Sequence, residues 1–190
     1  MITNTALEFK GDLYPSKIID YKKDVDSVYF NTDNNVILKI TVLRDSMIRF
    51  RYTTKGYFSK DFSYAIDKTQ SHGYNALEVT EEIAHYAIQT SKVICHIRKE
   101  DLRISITDLD GVSILEDELG FHWEESYEFG GNIVKMSKAS RDGESFYGLG
   151  DKASHFNLKG KRVENWATDQ YAFQKDQEPL YKVVPFYIGL

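Results

Sequence analysis

Residues 35–54, NVILKITVLRDSMIRFRYTT, decide the fold. Val36, Leu38, Ile40 and Val42 fall on one side of a period-two alternation and Lys39 and Thr41 on the other, the pattern of a strand with one buried and one wet face. The same alternation extends outward through SVYFNT at 27–32, HYAIQTSKVICHIRKEDLRISITDLDG at 85–111 and NIVKMSKAS at 132–140. Turn signals at Thr90-Ser91, Glu100-Asp101 and Asp110-Gly111 divide these runs into hairpins. No stretch of about ten residues combines a cap with a 3.6-residue apolar stripe. Short strands at close spacing without intervening helices predict an all-β chain, an antiparallel β-sandwich built as a meander.

Composition narrows the function classes. The chain has 190 residues, 42% hydrophobic and 28% charged, as expected of a globular protein with a sizeable core. Aromatic residues reach 14%, which suits half-buried strands and equally suits a surface that stacks on flat ligands. A net charge of −5 with interspersed signs excludes a nucleic-acid partner, which needs clustered Lys and Arg. Cys95 is the one cysteine, so an intrachain disulfide is impossible; its place in the apolar run KVICHI predicts a buried thiol and fits a reducing compartment. The start lacks a basic segment followed by an apolar one, and no run approaches the roughly 18 apolar residues of a membrane span. The expected location is cytoplasmic, or periplasmic or secreted if a leader has been removed, with no membrane partner.

Nothing marks a boundary before about residue 140, and residues 1–190 read as one sandwich domain in which the composition shifts near its end. From Ser145 the sequence is glycine-punctuated and aromatic, too long for an ordinary loop and too aromatic for disorder. It closes on YKVVPFYIGL, 181–190, which reads as a buried strand running to the last residue. Chains normally terminate in exposed polar segments, so the natural protein is expected to continue.

Four chemistries compete for this region and the residues around it. Gly148, Gly150 and Ala153 satisfy G-x-G-x-x-A, with Asp169 at the distance of a ribose-binding acid. That fingerprint needs a helix opening at the third small residue, and SHFNLKGKR has no helical stripe, so the glycines read as turn formers and no cofactor is expected. A metal is not expected either: His72, His85, His96, His122 and His155 lack partners at a ligand spacing, and His85 and His96 read as residues on polar strand faces. DLDG at 108–111 lacks the further oxygen ligands of a calcium loop and reads as a hairpin turn. The adjacent acids Glu81-Glu82 and Glu124-Glu125 read as solvated strand ends, and no GxSxG elbow exists, so complete hydrolytic machinery is not expected in this chain. The fourth chemistry is sugar recognition by RVENWATDQYAF, 162–173. An indole or phenol offers a flat face to a pyranose and a carboxylate accepts two hydroxyl hydrogen bonds; Trp166, Asp169 and Tyr171 supply both. The same residues also suit a loop that folds its aromatics into a small core of its own, with Asp169 solvated or capping a turn.

Three ordered blocks, FYGLGDK at 146–152, LKGKRVENWATDQYAF at 158–173 and EPLYKVVPFYIGL at 178–190, resemble the end of the N-terminal domain of glycoside hydrolase family 31, the α-glucosidases and α-xylosidases. Trp166, Thr168 and Asp169 match the family motif; Ala167 stands where asparagine is usual, Asp151 where glutamate is usual and Glu178 where aspartate is usual. The resemblance implies a galactose-mutarotase-like β-sandwich preceding a (β/α)8 barrel, with a sandwich loop reaching the barrel's substrate pocket. It implies that Asp169 binds hydroxyls of an α-linked oligosaccharide or glycoside, and that Trp166, Thr168 and Tyr171 shape or line the site. Family members hydrolyse α-glycosides with retention through an aspartate nucleophile and an aspartate acid on the barrel. A barrel takes about 250 residues; it is expected beyond Leu190, leaving this chain inactive alone. A stand-alone carbohydrate-binding module and a protein-interaction domain docking through VVPFYIGL are the competing expectations.

Overall fold

The computed structural model describes residues 11–64, 66, 77–126 and 130–190; His72 lies outside these. The chain divides into two compact units, residues 1–139 and 140–190.

The first unit is a β-sandwich. Strands β1 (Ile18–Lys23), β2 (Ser27–Thr32), β3 (Ile37–Arg44) and β4 (Met47–Thr53) form a four-stranded sheet in chain order. A six-stranded sheet follows, in the order β10-β9-β8-β7-β6-β5, from β5 (Val79–Glu81), β6 (His85–Gln89), β7 (Val93–Arg98), β8 (Ile104–Asp108), β9 (Ser113–Ser126) and β10 (Gly131–Lys138). Every pairing is antiparallel between chain neighbours, so the expected meander is observed. Among the described residues there is no helix, and so none long and apolar enough to cross a membrane.

One apolar cluster joins the sheets. Val36, Leu38, Ile40 and Val42 are fully buried, as their alternation predicts, and meet Ile88, Cys95, Ile97 and Ile104 of the larger sheet. Burying each such side chain contributes about 1.5–3 kcal/mol. Aromatic contacts tie the layers: Tyr52 stacks on Phe121 at 4.4 Å and Phe30 meets Tyr86 at 5.2 Å. Cys95 is buried as expected, and burial pushes its thiol pKa up to about 12.

The wet face of β3 differs from its expectation. Thr41 is buried, its hydroxyl 2.8 Å from that of Ser27 across the β2–β3 ladder. The outer face of this sheet is partly roofed by residues 57–61: Arg51 lies 5.0 Å from the Phe58 ring, and Arg49 forms a two-pronged pair with Asp61. DLDG is the hairpin turn its sequence suggests. The Asp108 carboxylate accepts from the Asp110 and Val112 amides, and Gly111 takes the left-handed conformation at φ 83°.

The second unit has one ladder, β11 (Phe146–Gly148) against β12 (Tyr187–Gly189), antiparallel. YKVVPFYIGL was expected to be a buried strand. Its strand covers just three residues, and residues 181–190 are all exposed, Phe186 at 63% and Leu190 at 78%. The apolar content is real, but this unit supplies no second layer to cover it.

Candidate functional site

The candidate site is the 149–183 region of the second unit, a long excursion between β11 and β12. Its base is fixed by close backbone approach. Gly150 has φ +83° and its Asp151 neighbour donates to Lys182 O at 3.3 Å; a Cβ on Gly150 would sit 2.3 Å from that same oxygen. Gly148, at φ +113°, faces Phe186 O in the same way, 2.6 Å from a built Cβ. The two glycines therefore admit the returning chain.

Polar anchors hold the excursion in shape. Lys152 Nζ lies 3.0 Å from Glu178 Oε2, with side chains only 8% and 17% exposed. Asp176 accepts from Ser154 Oγ at 2.6 Å and from Lys161 Nζ at 3.0 Å, and its amide donates to Ala153 O. The Ser154 hydrogen bond and then the Lys161 bond hold the Asp176 carboxyl below the usual carboxylate range. Leu158 and Leu180 are the buried apolar pins. The Thr168 amide donates to Leu180 O at 3.0 Å, fastening the middle of the loop.

On this frame stand the residues singled out from sequence. Trp166 is 70% exposed and Tyr171 91%, while Phe173 and Tyr181 meet edge to face at 6.4 Å. The indole and the Tyr171 phenol thus stand outside the loop's interior, while Phe173 packs on Tyr181. Thr168 Oγ1 donates to Trp166 O at 3.3 Å, and the Tyr181 hydroxyl donates to Gln170 O, so both flanks of Asp169 are tied to the frame. Asp169 itself is exposed and, among the described residues, engaged by no hydrogen bond or ion pair. A carboxylate between two open rings on a fastened backbone can accept hydroxyl hydrogen bonds and frame a pyranose face.

The first unit contains a group that sequence spacing does not reveal. Glu82, His85 and His96 each place a donor atom within 4.8 Å of the others. The signal lies in hairpin register, which no local motif records. His122 is accounted for structurally, buried with Nδ1 3.0 Å from Gly120 O and its ring stacked on Tyr14; His155 is exposed.

Comparisons with known proteins agree with this architecture. The chain is 24% identical over 161 residues to α-glucosidase 2 of Bacillus thermoamyloliquefaciens, covering 84% of this chain and 19% of that protein. It superposes with a TM-score of 0.82 on a Flavobacterium johnsoniae GH31 dextranase solved with isomaltotriose, at 24% identity over 93% of this chain and 21% of that one. A GH31 α-xylosidase from Xanthomonas citri gives 0.71 at 23% identity, over 88% of this chain and 18% of that one. The chain thus spans about a fifth of the length of these relatives. Residues 37–190 match the glycosyl hydrolase 31 N-terminal galactose mutarotase-like domain, and the chain belongs to that family.

Proposed function

We propose that this chain is the non-catalytic N-terminal domain of a retaining α-glycosidase of the α-glucosidase type, acting on α-linked oligosaccharides, and that its 158–173 loop completes the substrate pocket of a following (β/α)8 barrel. The observation that carries the reading is Asp169: an exposed carboxylate, unengaged among the described residues, on a loop whose two sides are fastened through Thr168 and Gln170. In the assembled enzyme Asp169 accepts hydrogen bonds from hydroxyls of the glycosyl unit near the scissile bond. Trp166 and Tyr171 present ring faces to it, and Thr168 keeps its oxygen lone pairs for a sugar hydroxyl. Nucleophile and acid belong to the barrel, so the chain's contribution is positional: it holds a negative acceptor where the sugar must sit. The exposed Phe186, Tyr187, Ile188 and Leu190 are the surface on which the barrel docks. The relatives' activities and the fifth of their length that this chain spans support the reading.

The test compares this chain alone with the longer protein. Expected are no turnover of an aryl α-glucoside by the chain and sugar binding no tighter than the order of millimolar, since half a pocket leaves most of the association cost unrecovered. Saturable tryptophan quenching by micromolar maltose or isomaltose, lost in Trp166→Ala, is the opposite result and identifies a stand-alone carbohydrate-binding module.

A further inference from the structure

The outer face of the β6–β7 hairpin carries side chains that sugar recognition does not use. Register pairs His85 with Arg98 and Ala87 with His96, which makes His85 and His96 diagonal neighbours on the face opposite the core. Their rings lie 4.9 Å apart at 79°. Glu82, in the turn that leads from β5 into β6, places Oε2 2.8 Å from His85 Nε2. His96 Nδ1 is shielded from solvent and has no hydrogen-bond partner, although buried ring nitrogens are normally satisfied.

We infer that Glu82, His85 and His96 form a binding site for a divalent transition cation of the zinc type. Two imidazoles and one carboxylate are a zinc donor set, whereas magnesium and calcium select oxygen-only shells. Donors around tetrahedral zinc, each roughly 2.0–2.1 Å from the metal, stand about 3.4 Å apart. The three donor atoms here lie within 4.8 Å of one another and need only a small inward rotation, which Glu82 is free to make because it is exposed in a turn. Both histidines line a groove of about 450 Å³, so a fourth position stays open to solvent. Arg98 and Arg103 share this groove, and their charge is offset by Asp101, with Arg98 Nε at 2.7 Å and Arg103 Nε at 3.3 Å from its carboxylate. Glu116 adds negative charge to the same wall, whereas the buried Asp117 carboxylate is already offset by Lys138. A bound cation clamps the β5–β6 turn onto β7, linking two strands and the turn that precedes them.

The experiment is calorimetric titration of tag-free, chelator-treated protein with ZnCl2, together with the visible spectrum of the Co²⁺-loaded form and thermal melts. One equivalent is expected, with Co²⁺ d–d bands of a nitrogen- and oxygen-ligated ion. Loss of either histidine in His85→Gln or His96→Gln weakens binding by more than the roughly 10- to 100-fold that losing an outer partner costs. Zn²⁺ at a hundredfold excess over Kd raises Tm by about 5–10 °C in the wild type and not in His96→Gln. Glu82→Gln, a turn substitution that leaves the fold intact, weakens binding as well, and His155→Gln leaves it unchanged. Absence of stoichiometric binding, or binding retained in both histidine variants, overturns the inference.

Discussion

Gly150 and Lys182 approach so closely that a Cβ on the glycine would stand 2.3 Å from the lysine carbonyl oxygen. Backbone cannot move aside as a flexible side chain can, and φ +83° adds its own strain for any other residue. Gly150→Ala is therefore expected to detach the base of the candidate loop. Limited proteolysis should show new cleavage within 149–183, while the thiol of Cys95, in the other unit, stays protected.

The Lys152–Glu178 pair is the most enclosed ion pair of the second unit, and removing one partner strands a charge. Glu178→Ala is expected to cost about 3 kcal/mol of local stability. Lys152→Met combined with Glu178→Met should recover much of it. Hydrogen exchange of the Thr168 amide, which is bonded to Leu180 O, reads both outcomes.

Asp176 sets an acid limit. Its folded pKa lies below the ordinary 3.8, so its hydrogen bonds stabilise the loop fully above that value and are lost as pH falls through the lower, folded value. Loop opening followed by proteolysis or NMR should show an acid transition that Asp176→Asn abolishes, with weaker loop order at neutral pH in that variant.

Cys95 has no solvent-exposed surface, and burial raises its thiol pKa to about 12. A thiol-specific reagent at pH 8 should leave it unlabelled in the native protein and react at once in denaturant. Leu38→Ala, a fully buried position of β3, should cost about 2–5 kcal/mol in denaturant unfolding and speed that labelling.

The sandwich was legible because strand burial writes itself into the sequence at period two: Val36, Leu38, Ile40 and Val42 alternate because one sheet face meets the core. Turns were legible through Asp108 and Gly111, whose side-chain acceptor and positive φ are local properties. What failed depended on neighbours distant in the chain. Thr41 is buried because Ser27 lies across the ladder, and Tyr187 is exposed because nothing in its own unit layers over it. Glu82, His85 and His96 meet through hairpin register, which spacing along the chain does not encode. Trp166 and Asp169 were visible as an aromatic and acidic loop motif; that Leu158 and Leu180 are buried while the Trp166 and Tyr171 rings stay exposed was not.

The most direct test of the central claim is the steady-state kinetics of Asp169→Ala in the longer α-glycosidase proposed above, on an α-linked disaccharide. A contribution to the substrate pocket predicts kcat/KM reduced by a factor of about 10 to 1,000, roughly 1.4 to 4 kcal/mol of transition-state binding, with Tm unchanged because the side chain bonds to nothing among the described residues. Wild-type kcat/KM in that variant would contradict the account and remove the loop from the substrate pocket.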